Sequence, residues 1–375
     1  MSGESPSGGW PPGFAAGPRN RRALLVLTAL RGLSPRKLLE LAQREGSADA
    51  CLVRVIAGRA GSDADTEFAR RADAGALTAA LDACGARVIA AEDPEYPPGL
   101  NNLADPPAAL FARGRSMSPH DFRVSVVGAR SCSALGREVA KDIGAGLARA
   151  GVVVVSGAAR GIDTAAHEGG LAGTSDGAGS TLAVLGSGID VDYPRSNSAM
   201  FRRIAVEGTV LSEYAPGVPA EPFRFPARNR IIAGLARAVV IVEGADGSGS
   251  LITAEHALDL GRDVYALPGA VNNPLARAPL SIIREGALMI RGVQDLLGDL
   301  GLESDPRAAL LAQLNLIEDA VLRSLEGPTL PDRVARDLGC EIGDVMGVLL
   351  SLEMKGLVRS LGGRFEQTNL AAASS

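Results

Sequence analysis

The chain has 375 residues, enough for two or three domains at roughly 150 residues each. Hydrophobic residues make up 46% and charged residues 22%, which excludes a disordered polymer or a collagen. A net charge of −5 and a pI near 5.4 exclude a polycation that coats nucleic acid by bulk charge, but leave room for a local phosphate site.

Aromatic residues are only 3%, and the 38 basic residues divide into 35 Arg and 3 Lys. A GC-rich genome explains most of that skew. Use of the guanidinium fork on phosphate is the other explanation. Cys51, Cys84, Cys132 and Cys340 form no CxxC pair, so free thiols in a reducing cytosol are expected rather than a disulfide framework or a zinc site. The apolar run Ala23–Leu30 is too short to cross a bilayer. Arg31-Gly32-Leu33-Ser34-Pro35 follows it in place of a small-residue cleavage site. A cytoplasmic protein with no membrane span is expected.

Residues 1–20, rich in Gly, Pro and Ser, are predicted to be disordered. Residues 21–85 read as a helical module of the SAM-like or helix-hairpin-helix-like kind. Leu38, Leu39 and Leu41 follow a Gly-Leu-Ser-Pro helix start, and a Gly/Ala/Asp-rich interruption spans 57–66. Ala23–Glu45 has the length of a small helix–turn–helix unit. Without a basic cluster, packing is its preferred role. Residues 86–114 read as a connector centred on Asp93–Pro98.

The stretch 120–297 alternates short apolar runs with helical segments. The runs are Val124–Val127, Val152–Val155, Leu182–Leu185, Thr209–Leu211, Val239–Val242 and Val264–Leu267. Apolar on both faces and separated by helices, they predict an α/β, Rossmann-like, doubly wound and mostly parallel sheet over 86–297. A linker at 298–308 leads to a tail at 309–370. Helices at Leu310–Leu325, Pro331–Leu338 and Ile342–Lys355, then Leu357–Ser360, Gly362-Gly363 and Arg364–Gln367, spell a winged helix.

Ligands of such a sheet bind outside the carboxyl ends of the strands. The predicted strand ends carry Gly128-Ala129-Arg130 with Ser133 and Gly136, Ser156-Gly157-Ala158-Ala159-Arg160-Gly161-Ile162-Asp163, Gly186-Ser187-Gly188 with Tyr193-Pro194-Arg195, and Gly247-Ser248-Gly249-Ser250. Phe225-Pro226-Ala227-Arg228-Asn229-Arg230 opens a helix just before one strand. Glycines let backbone N–H groups approach an oxyanion, and helix N-termini add donors and a favourable dipole. Arg130, Arg160, Arg195, Arg228 and Arg230 lie in or beside these turns, placed for bidentate phosphate contacts. Any one turn is equally well explained as a tight strand-to-helix connection. Their repetition on one edge favours an anion site.

Other chemistries lack support. Lys37, Lys141 and Lys355 follow no Gly, so there is no Walker A loop. Position 191 is Val, where a dinucleotide fingerprint needs its third Gly. His120, His167 and His256 show no HExxH spacing. His167 reads as a satisfied helix histidine and Asp163 as that helix's N-cap.

In combination, the turns just quoted, with Ala166-His167, Leu211-Ser212-Glu213-Tyr214, Arg228-Asn229-Arg230-Ile231-Ile232-Ala233-Gly234-Leu235 and Ser248-Gly249-Ser250-Leu251-Ile252-Thr253-Ala254, resemble the DprA/Smf family of bacterial DNA-processing proteins. The resemblance is strongest over 90–297. It implies a homodimer that binds single-stranded DNA without a cofactor and hands it to the RecA recombinase during natural transformation. It also implies a DNA-binding rather than an enzymatic role. Carried over residue by residue, it assigns phosphate contacts to Arg130 and Arg195 first. The Arg228-Asn229-Arg230 helix start and the Gly247–Ser250 turn follow. Residues 276–281, Ala-Arg-Ala-Pro-Leu-Ser, depart from the family pattern, which has a Gly and an Asn there.

The winged helix has six basic and seven acidic residues over 321–368, and Ile342–Lys355 carries Asp344 and Glu353. A groove reader needs a basic face, so a protein-contact or regulatory role is favoured for it. Two other functions remain open. The first is a nucleoside 5′-monophosphate glycosidic hydrolase with Glu255 as its carboxylate. Against it, the Pro-Gly-Gly turn of such enzymes is absent. The second is a scaffold whose anion pocket has no remaining role.

Overall fold

The computed structural model describes residues 9–174, 180–302, 314–325 and 327–368. Two compact units divide at Asp299/Leu300.

Five helices open the first unit: α1 (Gly17–Thr28), α2 (Pro35–Glu45), α3 (Ala48–Ile56), α4 (Asp63–Arg71) and α5 (Ala74–Ala83). The starts of α2 to α5 follow the side chains that cap them. Ser34 accepts from Lys37 N at α2, and Ser62 and Asp65 form a reciprocal capping box at α4. The expected disorder over 1–20 does not extend to 9–20. Phe14 is 2% exposed in the same core as Leu24, Leu27, Leu38 and Leu41, and α1 begins at Gly17. The Gly and Pro content misled there because Trp10 and Phe14 supply the apolar anchor.

The expected connector at 86–114 contains two strands, β1 (Ala86–Ala90) and β2 (Ala109–Gly114), paired antiparallel. β1 offers only Val88-Ile89 and β2 no β-branched residue, a weaker strand signature than the runs that follow. They begin a nine-stranded sheet. Its other members are β3 (Arg123–Val127), β4 (Val153–Ser156), β5 (Ser180–Gly188), β6 (Thr209–Tyr214), β7 (Ala238–Ile241), β8 (Asp263–Ala266) and β9 (Leu288–Met289). The order is β1-β2-β6-β5-β4-β3-β7-β8-β9, with every pair from β6 to β9 parallel.

Along β5, Leu182 and Val184 enter one core while Ala183 and Leu185 enter the other. This two-sided burial explains the continuous apolar runs in the sequence. The helices between strands are α6 (Ala134–Arg149), α7 (Ile162–Gly173), α8 (Ser198–Glu207), α9 (Arg224–Leu235), α10 (Gly249–Asp259) and α11 (Arg277–Arg284), and α12 (Val293–Asp299) follows β9. The strand order reverses between β3 and β7, so the crevice above that pair is where this fold binds ligands.

The second unit packs α13 (Leu316–Ser324), α14 (Pro331–Leu338) and α15 (Ile342–Met354) against a hairpin of β10 (Val358–Leu361) and β11 (Arg364–Gln367). Thr329 bridges Phe365 antiparallel to the hairpin. This is a winged helix. The early part of the helix expected from Leu310 lies outside the described residues. Among the described residues, no helix is long and apolar enough to cross a membrane.

Candidate functional site

A cavity of about 340 Å³ opens at the β3/β7 reversal. Its walls come from the turn after β3 (Gly128, Ala129, Arg130, Ser131), the start of α9 (Phe225, Arg228, Asn229) and the turn before α10 (Ser248, Gly249, Ser250). A smaller cleft beside it shares Arg130, Phe225 and Arg228 and adds Gly157, Arg160 and Tyr193. Segments distant in sequence therefore meet, as the repeated Gly/Arg turns predicted.

Close backbone approaches hold the turns together. Gly161 has φ +83, and a Cβ there would stand 2.7 Å from the Arg130 carbonyl oxygen. Only glycine fits both constraints. Ala129 N donates to Glu243 O at 2.7 Å and Ile162 N to Ala129 O at 3.2 Å. The buried Asn197 side chain donates to Ala158 O (3.1 Å) and Thr164 Oγ1 (2.9 Å), which ties the Tyr193–Asn197 segment to the turn bearing Arg160. Asn229 Nδ2 donates to Gly249 O at 3.0 Å and links α9 to α10.

Two expected anion slots hold the protein's own carboxylates. At the start of α6, Glu243 accepts from Ser133 N (2.8 Å) and Ser133 Oγ (2.6 Å), and Ser133 Oγ accepts from Gly136 N. Ser133 is thus a helix cap engaged with Glu243, not a free phosphate donor. At α7, Gly161 is the N-cap, and the buried Asp163, one residue into the helix, accepts from Ala159 N at 3.3 Å. Burial pushes the Asp163 carboxyl above its ordinary range, against the pull of Arg228 and the turn's N–H groups. Ser156 is fully buried and donates to Val126 O at 2.7 Å, so it too is structural.

The arginines fall into three classes. Arg230 departs from expectation. It is 6% exposed and bound by Asp105 (3.0 Å) and Glu213 (2.7 Å), away from the cavity. One helical residue from Asn229, it turns toward the other side of α9. Arg228 is 4% exposed and donates from Nη1 to Gly157 O at 2.8 Å and to Val184 O. Burial pushes its guanidinium down to about 10, with Asp163 opposing and Arg130 adding repulsion. It therefore stays charged at neutral pH. Arg130, Arg160 and Arg195 are exposed, and among the described residues none has an ion-pair partner. Arg130 lies over the Phe225 ring, 5.3 Å from its centroid. Arg195 begins the turn after Pro194, outside both cavities.

In the remaining turn, Ser248 and Ser250 share a hydrogen bond at 2.8 Å, and Gly247, at φ +68, is exposed beyond the lining residues. The atypical stretch 276–281 runs into α11. Ala278 N donates to Gly244 O at 2.9 Å, so the segment closes against the β7 end. Glu255 is exposed on α10 and does not line the cavity.

Sequence reading missed Glu243 and the tie made by Asn197, and it quoted Phe225 as the opening of a helix without giving it a role. Glu243 was legible as a carboxylate at the very end of a buried strand. Asn197 and Phe225 gave no comparable signal.

Residues 87–301 match the family model for DNA recombination-mediator protein A, and residues 304–364 match the DprA winged helix domain. DNA processing protein DprA of Streptococcus pneumoniae is 44% identical over 204 residues, 54% of this chain and 71% of the relative. Protein Smf of Escherichia coli is 35% identical over 289 residues, 74% and 76% of the two chains. Among solved structures, the Streptococcus pneumoniae protein superposes with a TM-score of 0.64 at 34% identity over 74% of this chain and 97% of that one. DNA processing protein A of Helicobacter pylori, described for its single-stranded DNA binding mode, gives a TM-score of 0.50 at 25% identity over 57% and 95%.

Proposed function

We infer, from the premise that this chain belongs to the DNA recombination-mediator protein A family, that it binds single-stranded DNA by its phosphates in the crevice above β3 and β7. One observation carries the reading. Arg130, Arg160 and Arg195 are exposed cations with no ion-pair partner among the described residues, each in a turn that follows a parallel strand, and Arg130 and Arg160 line one cleft. Arg228 beneath them adds a fixed charge that no solvent rearrangement removes. Gly128, Gly157 and the Ser248–Ser250 turn complete the wall. A neutral environment would leave that repulsion unrelieved, whereas a phosphate backbone relieves it.

The family premise extends the proposal. A homodimer presents two such sites and delivers the strand to the RecA recombinase. Replacing Arg130 and Arg195 together by Ala should remove charge-assisted contacts of about 1.5–3 kcal/mol each, read as strand affinity by fluorescence anisotropy. A double variant that binds as tightly as the unaltered chain would refute the site. For delivery, RecA ATP hydrolysis on a precoated strand should start sooner with the chain present and lose that gain in the double variant. An unchanged lag would leave strand binding intact and remove the RecA step.

A further inference from the structure

The cleft next to the main cavity has an aromatic edge that phosphate binding does not use. The chain has thirteen aromatic side chains. Six are buried, while Tyr193, beside the cleft, is 47% exposed. Its ring stands 5.3 Å from that of Phe225, tilted by 31°. Phe225 is itself fixed. A Cβ at Gly186 would meet its ring at 2.8 Å, so glycine is what lets the ring sit flush on the β5 end. Arg130 covers the same ring, and Arg160 and Arg228 line the same cleft. No hydrogen bond from the Tyr193 hydroxyl is found among the described residues.

The geometry points to Tyr193 as a stacking platform for one nucleobase of the strand whose phosphates the neighbouring arginines hold. The inference rests on the proposed function and adds a base contact to it. The cleft, at about 40 Å³, has room for little more than one water, so the base lies on the outward face of the ring. A ring next to guanidinium groups matches the alternation of base and phosphate along a single strand. Stacking of this kind tolerates every base, because each has a π-face, and it excludes duplex DNA, whose bases are already stacked. The Phe225–Arg130 contact holds the platform and the phosphate-binding fork in one unit.

The test compares an oligothymidylate with an abasic strand of the same phosphate count, using the full chain. The unaltered chain should bind the intact strand between about fivefold and a hundredfold more tightly. Tyr193→Ala should erase that difference, weakening the intact strand alone. Tyr193→Phe should restore it. Thymidine 5′-monophosphate should fail to displace the strand, since it lacks the neighbouring phosphates. Equal affinity of the unaltered chain for both strands would overturn this inference while leaving phosphate binding in place. So would a Tyr193→Ala variant that loses both strands alike. Displacement by the free nucleotide would reassign the platform to mononucleotides. Failure to bind any strand would overturn the parent reading and this one with it.

Discussion

His167 is fully buried in α7 between the sheet and α6. Thr181 Oγ1 gives its proton to Val154 O at 2.8 Å, so at the 2.6 Å contact between Nδ1 and Thr181 it can only accept. That fixes the imidazole as the neutral Nδ1–H tautomer. Burial, helped by the charge of Arg228, pushes its pKa down to about 3. An unfolded histidine titrates near 6.5. Between those values the unfolded chain holds a proton that the native chain refuses. Stability is therefore full above about pH 6.5 and falls below it by up to ~1.4 kcal/mol per pH unit. Urea midpoints at pH 7 and pH 5 should differ more for the unaltered chain than for His167→Gln, and equal differences would refute the account. The arginines show the limit of reading single residues. Arg130 and Arg230 both sit beside helix starts in the sequence. Only the folded chain reveals that Asp105 and Glu213, 125 and 17 positions away, have claimed Arg230.

Elements were more legible than residues. The six predicted parallel strands are all present, because burial on both faces writes an unbroken apolar run. The antiparallel pair β1–β2 was missed because the Asp93–Pro98 turn cluster between them reads as a connector and β2 has no β-branched residue; β2 gains its strand character from pairing with β1 and β6. The helix pair α6–α7 was legible as helices but not as a contact. Glycines set that contact. Gly144 faces the Ala166 carbonyl, Gly169 the Lys141 carbonyl and Gly173 the Ala145 carbonyl, each too close for a Cβ. Backbone meets backbone there, so no side-chain rotation relieves an added methyl. Gly169→Ala should destabilise the first unit by about 1–3 kcal/mol. Gly249→Ala, where a Cβ meets nothing within 4 Å, should leave the denaturation midpoint unchanged. Differential scanning calorimetry of the two variants checks both. A Gly169→Ala variant as stable as the parent would mean that the helices can slide apart.

For the whole molecule, charge has to be argued from placement. The stretch 123–297 holds seventeen basic and seventeen acidic residues, so no net field draws a strand to it. Many of those charges cancel locally: Arg224 with Glu221, Arg230 with Asp105 and Glu213, Arg277 with Asp246 and Arg291 with Asp295. The winged helix is no more basic, with six basic and seven acidic residues over 321–368. Ile342, Leu350 and Met354 are exposed along α15. If binding rests on Arg130, Arg160 and Arg195, the strand displaces few counterions. Each single-strand phosphate neutralised contributes about −0.7 to the slope of log affinity against log salt, so the full chain should show a slope near −2. Arg130→Ala should make it shallower by about 0.7, and a chain ending at Asp299 should keep the full value. Anisotropy titrations across a salt series measure all three. A much steeper slope, or one that collapses when the second unit is removed, would move the phosphate contacts out of the β3/β7 crevice.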